Sequence, residues 1–305
     1  MSEHQIFTID LNFMGISGAI ASYLIPHTAG AVLVECGPGS TLPALLESLR
    51  QHGLSPSDIS DVFLTHIHLD HAGAAGWLAR QGARIHVHPV GAPHMQYPEK
   101  LLSSAARIYG DKMGTLWGEF LPVPPEKLSV LQDNDVITVD GMSFQATDTA
   151  GHADHHHVYL LEDTLFSGDI GGVRLTGTHH VRLPMPPPEL NLIKWRQSLG
   201  RLKKMKFTRI APTHFGIFPD AQQHLSILEK ELDDINAWIE AIMPGDPPVD
   251  EINHLLIDWY QQRAVQVGVP IEQLQGYESA NPSWMSGYGI QRYWRKVRQV
   301  ETTQG

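Results

Sequence analysis

The feature that most constrains this chain is Thr65-His66-Ile67-His68-Leu69-Asp70-His71, set between two contrasting stretches. The apolar run Asp61-Val62-Phe63-Leu64 leads in and reads as a buried strand. The small residues Ala72-Gly73-Ala74-Ala75-Gly76 follow, and the Ala and Leu content through Leu78 and Ala79 predicts the start of a helix. A strand that ends in a turn and enters a helix fans its side chains at a sheet edge. His66 and His68 are two apart, so an extended backbone points both the same way. Asp70 and His71 then sit on the turn beside them. Imidazole nitrogen and carboxylate oxygen are the ligands that zinc, iron and manganese take. Three histidines so close together can arise by chance in a chain that has 18. The apolar strand before them and the small residues after them argue against chance.

The pattern His66-x-His68-x-Asp70-His71 resembles the metal signature of the metallo-β-lactamase superfamily. Glyoxalase II, lactonases, β-lactamases, and arylsulfatase-like and nuclease branches share it. The resemblance implies three more ligands downstream: a His after a Gly, an Asp after a Gly, and a late His at a strand end. Thr149-Ala150-Gly151-His152, Leu165-Phe166-Ser167-Gly168-Asp169 and Ile210-Ala211-Pro212-Thr213-His214-Phe215-Gly216 match these elements in order. It covers roughly residues 5 to 218, and no quoted motif falls in the C-terminal part.

Composition limits the partners. The formal charge of −11 opposes a nucleic-acid backbone as main partner, since phosphate binding needs a basic footprint. It also disfavours an anionic membrane surface, and no apolar run approaches the ~20 residues that span a bilayer. A single cysteine, Cys36, rules out an internal disulfide framework and fits a reducing compartment. Met-Ser-Glu-His-Gln shows no basic region followed by an apolar stretch, so no signal peptide is read and a cytoplasmic location is expected.

Along the chain, strands are expected at Gln5–Leu11, Ala19–Ile25, Gly30–Cys36, Ala83–Pro89, Leu128–Val139, Met142–Asp148, His157–Leu161, Thr164–Phe166 and Phe207–Pro212. Asp140-Gly141 marks a two-residue hairpin. Helices are expected at Leu42–His52, Leu101–Phe120, Asn191–Lys204, Leu225–Met243, Asp250–Val267 and Ser283–Val297. With the resemblance, this is an α/β (α+β) chain: a four-layer αββα sandwich over residues 1–219, with a C-terminal helical extension over 220–305. The helical insertion at about 90–125 is either a lid over the site or packing on the sheet. The C-terminal helices are a lid, a homodimer contact, or both.

The resemblance assigns His66, His68 and His152 to one metal and Asp70, His71 and His214 to a second, with Asp169 bridging. It implies two divalent ions as cofactors, zinc first, with manganese or iron as alternatives. Two such ions share a hydroxide whose pKa falls toward ~7, and polarise the carbonyl or phosphoryl oxygen under attack. Asp70 also orients that hydroxide and shuttles its proton, as a catalytic residue. The implied activity is hydrolysis of an ester, thioester or lactone in a small-molecule substrate. The alternatives are a mononuclear-iron, persulfide dioxygenase-like oxidoreductase, or a phosphodiesterase or β-lactamase branch of the same fold. His156 is a candidate support for the ligands. Glu35 is read as structural, or as an ordinary strand-end carboxylate. His86, His88, His155 and His157 are read as strand residues, solvent-facing or packed. His179, His180 and Arg182, in the polar, proline-rich loop after Asp169, either contact substrate or form a solvated loop. The basic run Arg292 to Arg298 is read as a solvated helix face.

Overall fold

Alternation along the strands decides the layering. In the computed structural model, which describes residues 4–298, neighbouring residues of each central strand join different cores. Residues 1–3 and 299–305, the ends of the expected N-terminal and C-terminal regions, lie outside the described residues. Six strands form the first sheet in sequence order: β1 (Phe7–Asp10), β2 (Ala21–His27), β3 (Gly30–Val34), β4 (Ile59–Phe63), β5 (Arg84–Val87) and β6 (Leu128–Val130). The first three pair antiparallel and β3 to β6 run parallel. Five strands form the second sheet: β7 (Val136–Val139), β8 (Met142–Asp148), β9 (His157–Leu161), β10 (Thr164–Phe166) and β11 (Arg209–Ala211). Their order is β11-β10-β9-β8-β7, with only β10 and β11 parallel.

Tyr23, Val32, Val34 and Phe63 meet Phe144, Tyr159 and Phe166 of the other sheet in the central core. Leu24, Leu33, Val62 and Ile85, one residue out of step, face the opposite way onto Leu45, Leu49 and Leu78 of the helices covering the first sheet. Val158 and Leu165 do the same on the second sheet, under Trp195, Leu199, Leu228 and Leu232. Helix, sheet, sheet, helix is therefore the layer order, as the resemblance implies.

Three local expectations change. Leu128–Val139 is two strands, one in each sheet, because Gln132-Asp133-Asn134-Asp135 turns the chain between them: Asn134 takes φ +67° and Asp135 Oδ2 accepts from the Gln132 amide. The run 101–120 is two helices, Glu99–Tyr109 and Met113–Trp117, parted at Gly110 with φ +52°. A helix at Ile271–Ala280 was not foreseen, since Gly276 interrupts its apolar spacing. Its Tyr277 is buried and bonded to Thr178 Oγ1 and the His180 carbonyl, both at 2.7 Å.

The C-terminal helices, Ala221–Ile242, Val249–Gln266, Ile271–Ala280 and Ser283–Tyr293, lie mainly over the second sheet's core. Ala280 and Tyr277 reach the first core instead, and Tyr109 Oη donates to Met285 Sδ at 2.9 Å. The insertion and the C-terminal helices thus meet. No described helix is long and apolar enough to cross a membrane.

Candidate metal centre

Every expected ligand leaves the C-terminal end of a strand at the same edge of the sandwich. His66, His68, Asp70 and His71 follow β4, His152 follows β8, Asp169 follows β10 and His214 follows β11. Two glycines make the close approach of these loops workable. Gly168 has φ +50°, and a Cβ there would stand 2.4 Å from Thr65 Oγ1 and 2.8 Å from His156 Nε2. A Cβ on Gly151 would stand 2.4 Å from Trp195 Cα. A side chain at either position would push its neighbour loop out of the site.

The seven side chains converge as two groups around one carboxylate. His66, His68 and His152 bring ring nitrogens together: His68 Nδ1 is 2.9 Å from both His66 Nε2 and His152 Nε2. Asp70, His71 and His214 form the second group. Asp169 stands between them, with Oδ2 3.3 Å from His152 Nε2 and Oδ1 3.3 Å from His71 Nε2 and 3.4 Å from His214 Nε2.

Hydrogen bonds on the outer sides of the rings fix what points inward. His152 Nδ1 donates to the Pro184 carbonyl at 2.9 Å, and His214 Nδ1 to the Ala19 carbonyl at 2.7 Å. His71 Nδ1 donates to Glu35 Oε1 at 3.1 Å. The Thr65 hydroxyl donates to Glu35 Oε1, so its oxygen is left to accept from His66 Nδ1 at 3.1 Å. Each of these four rings therefore aims a bare Nε2 lone pair at the centre. Lone pairs and carboxylate oxygens pointing at one another repel. His71 Nε2 and Asp169 Oδ1 are buried without a hydrogen-bond partner. This donor set fits cations at the centre, and nitrogen with carboxylate oxygen is the chemistry of zinc, iron and manganese.

Electrostatics agree with that fit. Burial, then the neighbouring imidazoles, holds His66 well below its ordinary range. Burial and His152 bring His68 down to about 3, so both stay neutral, the state in which imidazole ligates. Burial also pulls on His71 and His214, but the carboxylates Asp70 and Asp169 outweigh it and hold both above the usual value. The same two carboxylates would draw a cation to that place.

Glu35 is the residue the sequence left in doubt. It is fully buried with φ +64°, and Oε1 accepts from Thr65, Thr213 and His71. It ties three ligand-bearing segments together. His156 lies behind the ligands, bonded through Nδ1 to Thr149 Oγ1 at 2.9 Å and stacked on His66 at 5.0 Å. His155 is packed rather than solvent-facing, but it sits in the turn before β9 and lines the cavity beside His68, with Nε2 3.4 Å from Glu189. The run of three histidines after His152 was the available signal for it. His86 pairs with Asp61 at 2.8 Å within the sandwich, as a strand residue would.

The loop reading of His179, His180 and Arg182 changes. None of them lines the cavity. His180 and Arg182 are buried against the C-terminal helices, with Arg182 bonded to Glu278 and Ser283 and lying over the Tyr260 ring at 4.2 Å. His179 is exposed and approaches Asp220 at 3.4 Å. The Cys36 thiol donates to the His71 carbonyl, and burial keeps it protonated.

The cluster opens into a cavity of about 410 Å³. His68, Asp70, His152, Asp169 and His214 form its floor. Its walls are mostly apolar: Phe13, Leu101, Trp117 and Met285 come from the N-terminal strand region, the insertion and the last helix.

Comparison with known proteins agrees with this geometry. Residues 16–214 match the family model of the metallo-beta-lactamase superfamily. The metallo-beta-lactamase fold-containing protein ST1585 of Sulfurisphaera tokodaii is 28% identical over 222 residues, 69% of this chain and 83% of that protein. An atrochrysone carboxyl ACP thioesterase of Aspergillus fumigatus is 27% identical over 219 residues, 70% of this chain but only 55% of that enzyme. The solved structure of the family protein TTHA1429 from Thermus thermophilus superposes over 95% of this chain and 93% of that one, with a TM-score of 0.68 at 21% identity. That likeness of fold takes in the C-terminal helices.

Proposed function

Because the chain belongs to the metallo-beta-lactamase superfamily, we propose that it is a dinuclear metal-dependent hydrolase of an ester, thioester or lactone with an apolar acyl part. The observation that most supports this is the position of Asp169, with one oxygen toward His152 and the other toward His71 and His214. A carboxylate set between two nitrogen-rich groups is placed to serve a cation at each. Two divalent ions, when bound, supply a nucleophile from water at neutral pH and polarise the scissile carbonyl. His66, His68 and His152 would hold one ion and Asp70, His71 and His214 the other, with Asp169 placed to serve both. Zinc suits this donor set, with manganese and iron as the alternatives.

The rest falls to the chain's own groups. The apolar walls hold the acyl part and exclude water from it. Asp70 faces the cavity, orients the attacking water and passes its proton to the leaving oxygen or sulfur. Water oxygen bonds to the acyl carbon, the C–O or C–S bond breaks, and acid and alcohol or thiol leave. That relatives include a thioesterase supports the thioester arm.

The test is metal content per chain by plasma mass spectrometry, on protein purified without added metal or chelator. About two equivalents of divalent metal are expected. Asp70→Ala is expected to lose the second equivalent and most turnover on an ester and thioester panel. One equivalent of iron, or full turnover in Asp70→Ala, refutes the two-metal reading.

A further inference from the structure

A second cavity, about 510 Å³, adjoins the first and shares Ile108, Pro187 and Trp284 with it as a common wall. Its lining is unlike the rest of the molecule. The chain has 33 acidic residues and 22 basic ones. This cavity is nonetheless walled by Arg107, Arg292, Arg295 and Lys296, with no carboxylate among its lining residues. A solvated helix face in so acidic a chain would carry acids as well.

The last helix arranges these groups in line. Trp284, Tyr288, Arg292 and Lys296 recur every fourth residue, so they follow one face of Ser283–Tyr293 and its continuation. At 1.5 Å per residue the stripe runs roughly 18 Å from Trp284 to Lys296. It starts at the wall of the acyl cavity and ends at the cations. Trp284 and Tyr288 are 41% and 50% exposed, large aromatic faces left to solvent. Arg107 faces them from helix Glu99–Tyr109. Among the described residues, Arg107 and Lys296 have no ion-pair partner. Arg295 pairs with the exposed Asp246, and Arg292 Nε donates to the Pro188 carbonyl at 2.9 Å.

Cations beside open aromatic faces recognise phosphates attached to a base: the cations take the phosphates and the rings stack on the base. We propose that this groove binds the leaving-group half of the substrate, a thiol that carries phosphates and a nucleotide base, while the acyl half occupies the cavity over the metal centre. This rests on the hydrolase reading and narrows it to acyl thioesters of a nucleotide-bearing thiol. Water oxygen bonds to the acyl carbon, the C–S bond breaks, and the thiolate leaving through the groove takes up the proton. An extended spacer between sulfur and phosphates suits a stripe of this length.

Two measurements test it separately from the hydrolase reading. The first is calorimetric titration of the wild type, Arg107→Glu and Lys296→Glu with adenosine 3′,5′-bisphosphate, which has no bond to hydrolyse. Both substituted side chains are exposed, so the fold tolerates them. Binding that weakens with salt, and by roughly tenfold with each reversal, is expected. The second compares octanoyl-coenzyme A with octanoyl-N-acetylcysteamine, which has the same acyl group and C–S bond but no phosphates or base. The reversals are expected to raise KM for the coenzyme A thioester about tenfold and to leave the short thioester unchanged. No bisphosphate binding, binding indifferent to the reversals, or equal kcat/KM for the two thioesters overturns the groove. Faster turnover of the same acyl group on a carrier protein, with no bisphosphate binding, overturns it too. Bisphosphate binding that the reversals weaken, with neither thioester hydrolysed, upholds the groove as a nucleotide site and refutes the thioester arm of the hydrolase reading.

Discussion

Glu35 offers the sharpest perturbation, because its role can be worked out atom by atom. Its Oε1 accepts from the Thr65 hydroxyl, from Thr213 Oγ1 at 3.2 Å and from His71 Nδ1 at 3.1 Å, and Oε2 accepts weakly from the Thr65 amide at 3.4 Å. In Glu35→Gln the amide oxygen can take the Oε1 place and keep three donors. Its NH₂ then faces the Thr65 amide, where little is lost. What disappears is the charge. A bond to a charged acceptor contributes ~1 kcal/mol more than one to a neutral acceptor, so the glutamine is expected to cost about 2–3 kcal/mol. Glu35→Ala leaves the three donors buried and unpaired, at ~1–3 kcal/mol each, and a loss of about 3–9 kcal/mol is expected. Backbone strain separates a third variant. Glu35 holds φ +64°, which costs an L-residue roughly 1–2 kcal/mol and glycine almost nothing. Glu35→Gly is therefore expected to fall between glutamine and alanine.

The metal centre should register the same order. On the proposed reading His71 would ligate through Nε2 only while Nδ1 has its acceptor, and loss of such a partner costs ~10–100-fold in metal affinity. Competition with a chromophoric chelator reads that affinity, and urea unfolding of the metal-stripped protein reads stability without the ions. Alanine is expected to weaken most the ion proposed at Asp70, His71 and His214. An alanine variant that holds both ions as tightly as the wild type, or loses under about 1 kcal/mol when stripped, refutes the argument.

Two other perturbations lie in the C-terminal helices. Burial pushes the Glu231 carboxyl up from 4.5 to about 7 despite its pairing with Arg263. Between those values only the folded state holds the proton, so stability falls as pH rises, by on the order of 3 kcal/mol in total. Glu231→Gln removes that slope, and urea titrations at pH 4.5 and pH 8 are expected to diverge in its favour at the higher pH; a constant difference from wild type refutes this. Arg182→Met removes the tie to Glu278 and Ser283 and the contact over Tyr260. Glu278 is 43% exposed and returns to water, so the loss is about 2 kcal/mol rather than that of a fully buried pair. Faster proteolysis between 246 and 282 checks it, and an unchanged cleavage rate sinks it.

What was legible in the sequence follows from how each part is encoded. The strand-to-ligand segments are local. His66 to His71 carry their geometry within a few residues; Gly151 and Gly168 stand beside their ligands in the sequence, but the reason for each is a distant contact, since a Cβ at 151 or 168 would strike Trp195 or Thr65. Period-two alternation encodes the two faces of each sheet, and the resemblance supplied the order of the layers. Glu35 could not be read that way. Its meaning lies in Thr65, His71 and Thr213, which are 30, 36 and 178 positions away. The same holds for His180 and Arg182, whose burial depends on a helix at 271–280 that has no clear apolar period of its own. The cavity walls are the extreme case. Phe13, Trp117 and Met285 meet only after the insertion and the last helix have docked on the sandwich. The candidate metal ligands are thus written locally, at the strand ends, and the cavity walls are written non-locally, in packing between the insertion and the C-terminal helices. Changes at Arg107 or Trp284 can therefore alter which substrate is taken while leaving the seven inward-facing groups in place.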